Sequence, residues 1–163
     1  AAPANPDAVP AKFGASDVQD LNWVQLLNAY SCTECGRCTS SCPANQTGKK
    51  LSPRKIMMDT RDRLEEVGRN IDLNKGVFVD DGKSLLNDYI TPEELWACTT
   101  CNACVEECPI NISPLSIIID MRRYLVMEQS AAPMELNNMM SIIENNGAPW
   151  PYNQMDRLNW VNE

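Results

Sequence analysis

The chain has 163 residues, 44% of them apolar, a formal net charge of −8 and no histidine. That length suits one domain with tails, and the acidity makes nucleic acid and anionic membrane surfaces poor partners. The lack of histidine excludes His-ligated haem, Cys/His zinc sites, Rieske-type ligation and His-based acid–base catalysis. No apolar stretch is long enough to cross a bilayer: the longest, Leu115 to Met127, is interrupted by Asp120, Arg122 and Arg123. The Ala/Pro-rich start carries no basic region followed by an apolar core, so no signal peptide is expected.

In chain order, residues 1–15 read as an extended arm, flexible or bound to a surface. Ser16, with Gln19 three residues later, predicts a capping box opening a helix through about Ala29. Leu21, Trp23, Val24 and Leu27 are then expected to pack toward the core near Cys32. Ser52-Pro53 predicts a second helix, with Pro at its first position, running to Val67 and closed by Gly68. Ile56, Thr60, Leu64 and Val67 share one face of it. Residues 70–84 read as a loop holding a brief strand or hairpin. Thr91-Pro92 with Glu94 caps a third helix, Ser113-Pro114 a fourth through about Glu128, and Pro133 a fifth through about Asn145, ended by Gly147 and Pro149. The remainder, with Trp150, Tyr152 and Trp160, reads as irregular chain held by its aromatics.

All eight cysteines fall into two copies of C-x-x-C-x-x-C-x-x-x-C-P: Cys32, Cys35, Cys38, Cys42 with Pro43, and Cys98, Cys101, Cys104, Cys108 with Pro109. A disulfide framework has no reason to keep identical steps of three, three and four residues, each closed by Pro. The spacing is the ferredoxin-type run for a [4Fe–4S] cluster, so all eight are expected as iron ligands of two such clusters, assembled where thiols stay reduced. With four thiolates for each cluster no iron is left open for substrate, which argues for electron transfer and against an active site within this chain. Pro43 and Pro109 turn the backbone away and remove an N–H beside the sulfur. Gly36 permits a close backbone approach to the first cluster, and Asn102 is its counterpart.

The repeat extends beyond the cysteines. Ser52-Pro53, Ile56, Asp59 and Arg61 follow the first motif as Ser113-Pro114, Ile117, Asp120 and Arg122 follow the second. Each half is thus a helix, a cysteine loop and a capped helix, implying a pseudo-twofold arrangement with both clusters buried between four helices. The Asp59–Arg61 and Asp120–Arg122 pairs are expected as solvated charges or inter-helix ion pairs.

The spacer of residues 43–97 is far longer than in small bacterial ferredoxins and holds a helix. In this the chain resembles the α-helical ferredoxin module of succinate dehydrogenase and fumarate reductase iron–sulfur subunits. It is more closely similar to the heterodisulfide-reductase-like iron–sulfur oxidoreductases. The latter likeness is carried by Tyr30-Ser31-Cys32-Thr33-Glu34-Cys35-Gly36-Arg37-Cys38, Leu51-Ser52-Pro53-Arg54-Lys55, Leu95-Trp96-Ala97-Cys98-Thr99-Thr100-Cys101, Asp120-Met121-Arg122-Arg123-Tyr124-Leu125 and Glu144-Asn145-Asn146-Gly147-Ala148-Pro149-Trp150.

The resemblance implies an all-α fold: an arm over 1–15, a dicluster domain over 16–146 and a docking tail over 147–163. As in two-cluster ferredoxins, the fourth cysteine of each motif would serve the other cluster. Cluster 1 would take Cys32, Cys35, Cys38 and Cys108, and cluster 2 would take Cys98, Cys101, Cys104 and Cys42. The resemblance further implies a non-catalytic electron-transfer subunit or domain at the cytoplasmic face of a membrane. Its partners would be redox subunits bearing a cysteine-rich CCG domain, a flavin or a cytochrome-b-like membrane domain. The rival expectation is a freely diffusing dicluster carrier.

Overall fold

The computed structural model describes residues 12–151 and 153–161. Most of the expected arm, residues 1–11, and the aromatic Tyr152 lie outside them. The chain divides into two compact units, Ala1–Glu128 and Gln129–Glu163. Among the described residues the secondary structure is helical, apart from one isolated bridge between Leu86 and Ile90. The all-α expectation holds.

The first unit begins with a 3-10 turn, Val18–Asp20, and a separate helix α1, Trp23–Ser31, in place of one helix from Ser16. Side chains divide them. Asp20 folds back to accept from the N–H groups of Ser16 (2.9 Å) and Asp17 (3.2 Å). Asn22 then starts afresh, accepting from Gln25 N–H while the Gln25 side chain accepts from Asn22 N–H, a second capping box. The new phase turns Gln25 and Ala29 inward, so Trp23 is 73% and Leu27 55% exposed, with Val24 and Tyr30 exposed beside them. The expected packing of Trp23, Val24 and Leu27 toward the core is therefore corrected; only Leu21 is buried. The restart at Asn22 rotates the apolar stripe to solvent.

After the first cysteines come two single turns, α2 (Arg37–Ser40) and α3 (Pro43–Gln46), and then the long helix α4, Pro53–Leu73. Ser52 caps α4 by accepting from Lys55 N–H at 3.3 Å. Gly68 does not end it: α4 runs five residues further, and a Cβ at Gly68 would meet nothing within 4 Å. The buried face is Ile56, Met57, Thr60, Arg63 and Val67. The loop that follows holds no strand among the described residues. Leu85–Tyr89 form an irregular turn with Asn87 left-handed (φ 80°).

The second half repeats the first with α5 (Pro92–Ala97), α6 (Ala103–Glu106) and α7 (Pro114–Met127). Ile56 and Ile117, the shared apolar position of the repeat, are both fully buried. Packing obeys the repeat: α1 lies on α4 as α5 lies on α7, while α4 meets α7 and α2 meets α6 across the pseudo-twofold. The segment before the first 3-10 turn is pinned to α7. Ala15 N–H donates to Asp120 C=O at 3.0 Å, and Phe13 N–H donates to Glu128 Oε1 at 2.7 Å. Gly14 is required there. Its φ is +75°, and a Cβ would sit 2.2 Å from the Asp120 carbonyl oxygen.

In the second unit, α8 spans Met134–Asn146 and ends at left-handed Gly147, as its sequence signals predict. Short 3-10 turns follow at Gln154–Asp156 and Asn159–Val161, with Trp150 and Trp160 exposed.

Candidate metal centre

Each cysteine motif is built the same way. The first cysteine ends a helix, Cys32 after α1 and Cys98 after α5, in extended conformation. The loop then turns twice through left-handed backbone: Glu34 and Gly36 (φ 57° and 80°) in one motif, Thr100 and Asn102 (φ 57° and 62°) in the other. Gly36 and Asn102 serve as N-caps of α2 and α6, the single turns that present Cys38 and Cys104. At Gly36 the nearest neighbour a Cβ would meet is Arg54 Nη1 at 4.0 Å. The left-handed backbone is what favours glycine here, and asparagine is among the residues that tolerate that conformation.

Two adjoining cavities receive the thiols. One, about 390 Å³ with its open mouth, is lined by Cys32, Cys35, Cys38, Cys104 and Cys108, with Glu34 and Arg54 on its wall. The other, about 330 Å³, is lined by Cys98, Cys101, Cys104 and Cys42, with Leu51, Leu115 and Ile118 around them. All eight predicted residues are thus placed, and each cavity draws on both motifs: Cys108 reaches the first, Cys42 the second, and Cys104 stands between. None is in a disulfide. Among the described residues no three Cys, Asp or Glu side chains are gathered closely enough for a single metal ion. Four or more cysteine thiols around each cavity are the donor chemistry of a multi-iron cluster.

Backbone groups and burial act on the sulfurs in opposite directions. Thr100 N–H donates to Cys98 Sγ at 3.4 Å, and Ile112 N–H to Cys108 Sγ at 3.3 Å. The Ala103 N–H, with help from Thr99, lowers the pKa of Cys101. Burial raises that of Cys38. Cys104 is pushed up to about 11, by burial first and then by the neighbouring thiols Cys98, Cys38 and Cys42. Thiols crowded this way lose their protons when iron supplies the compensating charge.

The repeated arginines do more than the sequence suggests. Arg61 pairs with Glu34 in the first cysteine loop. Arg122 donates to the carbonyls of Leu95 (3.0 Å from Nε) and Cys98 (2.5 Å from Nη2), with its guanidinium 4.9 Å from the Trp96 ring centroid. Each arginine therefore clamps the first-cysteine loop of its own half. Neither pairs with the aspartate of its repeat: Asp59 binds Lys55 at 2.6 Å, and Asp120 accepts from Gln25 and Arg123.

Of three further positioning residues, Gln25 and Arg63 carry no sequence signal, and Glu94 is legible only as a helix cap. Gln25, 3% exposed, donates to Asp120 Oδ2 at 2.7 Å and ties α1 to α7. Arg63, fully buried, holds Asp17 (2.8 Å), Asp81 (2.5 Å) and the Lys83 carbonyl (2.8 Å). Buried Glu94 closes the Thr91 capping box and meets Lys55 at 3.0 Å, linking α5 to α4.

The chain belongs to the 4Fe-4S dicluster domain family, which matches residues 31–112, half of its length. It is 35% identical, over 96% of its length, to a probable iron-sulfur-binding oxidoreductase, FadF, of Bacillus subtilis. It is 33% identical, over 93% of its length, to the EtfAB:quinone oxidoreductase of Syntrophomonas wolfei. It covers 26% and 24% of those two proteins, so it spans about a quarter of their length. A shorter relative is a component of the ferredoxin/F(420)H(2)-dependent CoB-CoM heterodisulfide reductase of Methanosarcina acetivorans. The two are 35% identical over 66% of this chain and 52% of that protein. The likeness to heterodisulfide reductases expected from the sequence is therefore real, and the cofactors of the chain are two [4Fe–4S] clusters. Such clusters supply one-electron chemistry, with no covalent bond to the protein made or broken.

Proposed function

We propose that this chain is the internal wire of a larger oxidoreductase, carrying electrons between a flavoprotein-side donor and a quinone- or disulfide-linked site on another segment or subunit. The observation that carries the reading is the pair of adjoining cavities, each walled by cysteines of both motifs. Such walls support ligation of cluster 1 by Cys32, Cys35, Cys38 and Cys108, and of cluster 2 by Cys98, Cys101, Cys104 and Cys42. Exchange of the fourth ligand locks the halves together and keeps the electron path short. The chain's own residues supply thiolates, exclude water with Leu51, Leu115 and Ile118, and hold the loops through Arg61 and Arg122.

Docking rather than free diffusion is supported by the exposed stripe of Trp23, Val24, Leu27 and Tyr30 on α1, next to Cys32, and by exposed Trp150 and Trp160. Among the described residues no helix is long and apolar enough to cross a membrane. The place we assign is the cytoplasmic face of a membrane, beside a cytochrome-b-like or other quinone-reactive partner, because quinone sites open to lipid. Relatives named for quinone and heterodisulfide reduction support this class of partner.

The test is fractionation of native extract, following the broad iron–sulfur absorbance. It should travel with membranes and with flavin-linked quinone-reducing activity. A soluble species of 18.2 kDa carrying all the absorbance would overturn the docked reading and leave the diffusing carrier. The ligand assignment is tested by Cys42→Ser, which should alter the electron paramagnetic resonance signal of the cluster held by Cys98, Cys101 and Cys104. An effect confined to the other cluster would refute it.

A further inference from the structure

The internal repeat is a built-in comparison. The two cysteine loops and the helices that follow them share one backbone plan, so apart from the longer connection between Pro43 and Ser52 the differences between the sites lie in the side chains placed on it. From the first cysteine to the repeat arginine, eight equivalent positions bear charge in at least one half: Glu34 against Thr100, Arg37 against Ala103, Ser40 against Glu106, Ser41 against Glu107, Arg54 against Leu115, Lys55 against Ser116, Asp59 against Asp120, and Arg61 against Arg122. The first half bears Arg37, Arg54, Lys55 and Arg61 against Glu34 and Asp59, and Lys55 is taken up by Asp59 and Glu94. The second bears Arg122 against Glu106, Glu107 and Asp120. The two repeat arginines offset each other, since each clamps the loop of its own half.

Arg54 and Leu115 face the cavities directly. Arg54 lies on the wall of the cavity formed by Cys32, Cys35, Cys38 and Cys108, with its Nη1 against the Gly36 turn. No carboxylate pairs with it among the described residues. Leu115, at the same place in the repeat, lies on the wall of the other cavity, which no charged side chain lines. Lys49 and Lys50 stand in the first-half insertion, outside both walls.

Reduction adds negative charge to a centre already anionic from its thiolates. A cation on the wall favours the reduced form, while an apolar wall or nearby carboxylates disfavour it. Donors to sulfur are matched between the cavities and do not reverse the balance. Thr39 serves Cys38 and Ile112 serves Cys108 in the first, while Ala103 with Thr99 serves Cys101 and Thr100 serves Cys98 in the second.

We propose that the two sites are poised unequally: the cluster on Cys32, Cys35 and Cys38 holds an electron more tightly than the cluster on Cys98, Cys101 and Cys104, with Arg54 as the principal positioning residue of that difference. An electron entering at the second site passes to the first, which is reduced as the second is oxidised. Donors with the lower potential then belong on the Cys98 side. This inference rests on the two-cluster reading above and adds a direction to it.

The experiment is a redox titration of the cluster-loaded protein followed by electron paramagnetic resonance. Two separated one-electron steps are expected. Arg54→Gln should lower the upper midpoint, shifting the oxidised-to-reduced ratio at fixed potential by up to tenfold, about 59 mV for one electron. It should leave the lower midpoint in place. Arg54→Lys should restore the upper value, which a merely structural role would not require. The exposed double substitution E106S/E107S should raise the lower midpoint, and it tests the asymmetry even if Arg54 variants load poorly. High salt should shrink the shifts from the exposed residues. Two clusters with Arg54→Gln moving the lower step, or neither, would overturn this inference alone. A protein holding fewer than two four-iron clusters would instead overturn the reading beneath it.

Discussion

At the scale of single residues, backbone conformation decides which side chains are interchangeable. Gly36 and Asn102 occupy the same left-handed position in the two motifs. Gly36→Asn should therefore load iron normally, whereas Gly36→Val, β-branched and intolerant of positive φ, should lose a large part of its iron on anaerobic reconstitution. Gly14→Ala meets both a positive φ and the Asp120 carbonyl. It should cost more than about 1 kcal/mol and open residues 12–15 to protease at Lys12, measured by denaturant midpoint and by cleavage rate. Tyr89 gives a pH signature. Burial first, and then the hydrogen bond its hydroxyl donates to Glu66 at 2.5 Å, raise its pKa from 10.0 to about 12. A raised folded pKa means a contribution fully present below pH 10 that fades as the pH climbs toward 12. Tyr89→Phe should remove that alkaline loss and the phenolate transition near pH 12 in an absorbance titration.

Among the elements, helix starts are legible in the sequence and helix faces are not. Thr91 with Glu94, Ser52 with Pro53, and Ser113 with Pro114 all start helices where the sequence places them, because caps are local hydrogen-bond chemistry. The first helix starts later than Ser16 suggests because two capping boxes compete within seven residues, and Asp17 and Asn22 prevail. Gly68 fails as a stop because a helix ends where packing and solvation end it, and α4 continues to support the loop through Asn70, which binds Val79. Arg63 shows what periodicity misses: it stands on the apolar face of α4, fully buried, and its partners Asp17 and Asp81 come from distant segments. Arg63→Met leaves both carboxylates without their cation and should cost about 3 kcal/mol or more. The check is the denaturant midpoint of the cluster-loaded protein, with the iron content unchanged at low denaturant.

For the whole molecule, the thiols and the core are one cooperative unit. The four helices that flank the cysteine loops meet along α4 and α7, and the cavities lie where the two halves face each other. Without iron, thiols crowded around Cys38 and Cys104 line cavities that nothing fills, so the cluster-free chain should be largely unfolded. Circular dichroism and amide exchange of anaerobically prepared apoprotein should show little native structure, with recovery on reconstitution. A cooperative, near-native melt of the apoprotein would contradict this.

The sequence alone determined the chemistry: eight cysteines at ferredoxin spacing name the cofactor, and the S-P-x-x-I-x-x-D-x-R repeat names the symmetry, because both are local patterns of residue types at fixed steps. Only the tertiary structure decided what those patterns face. It turned Trp23 and Leu27 outward, sent Arg61 and Arg122 to the cysteine loops instead of to Asp59 and Asp120, and set Arg54 and Leu115 on the walls of opposite cavities. Those outcomes depend on helix phase and on contacts between segments far apart in the chain, which residue spacing does not encode.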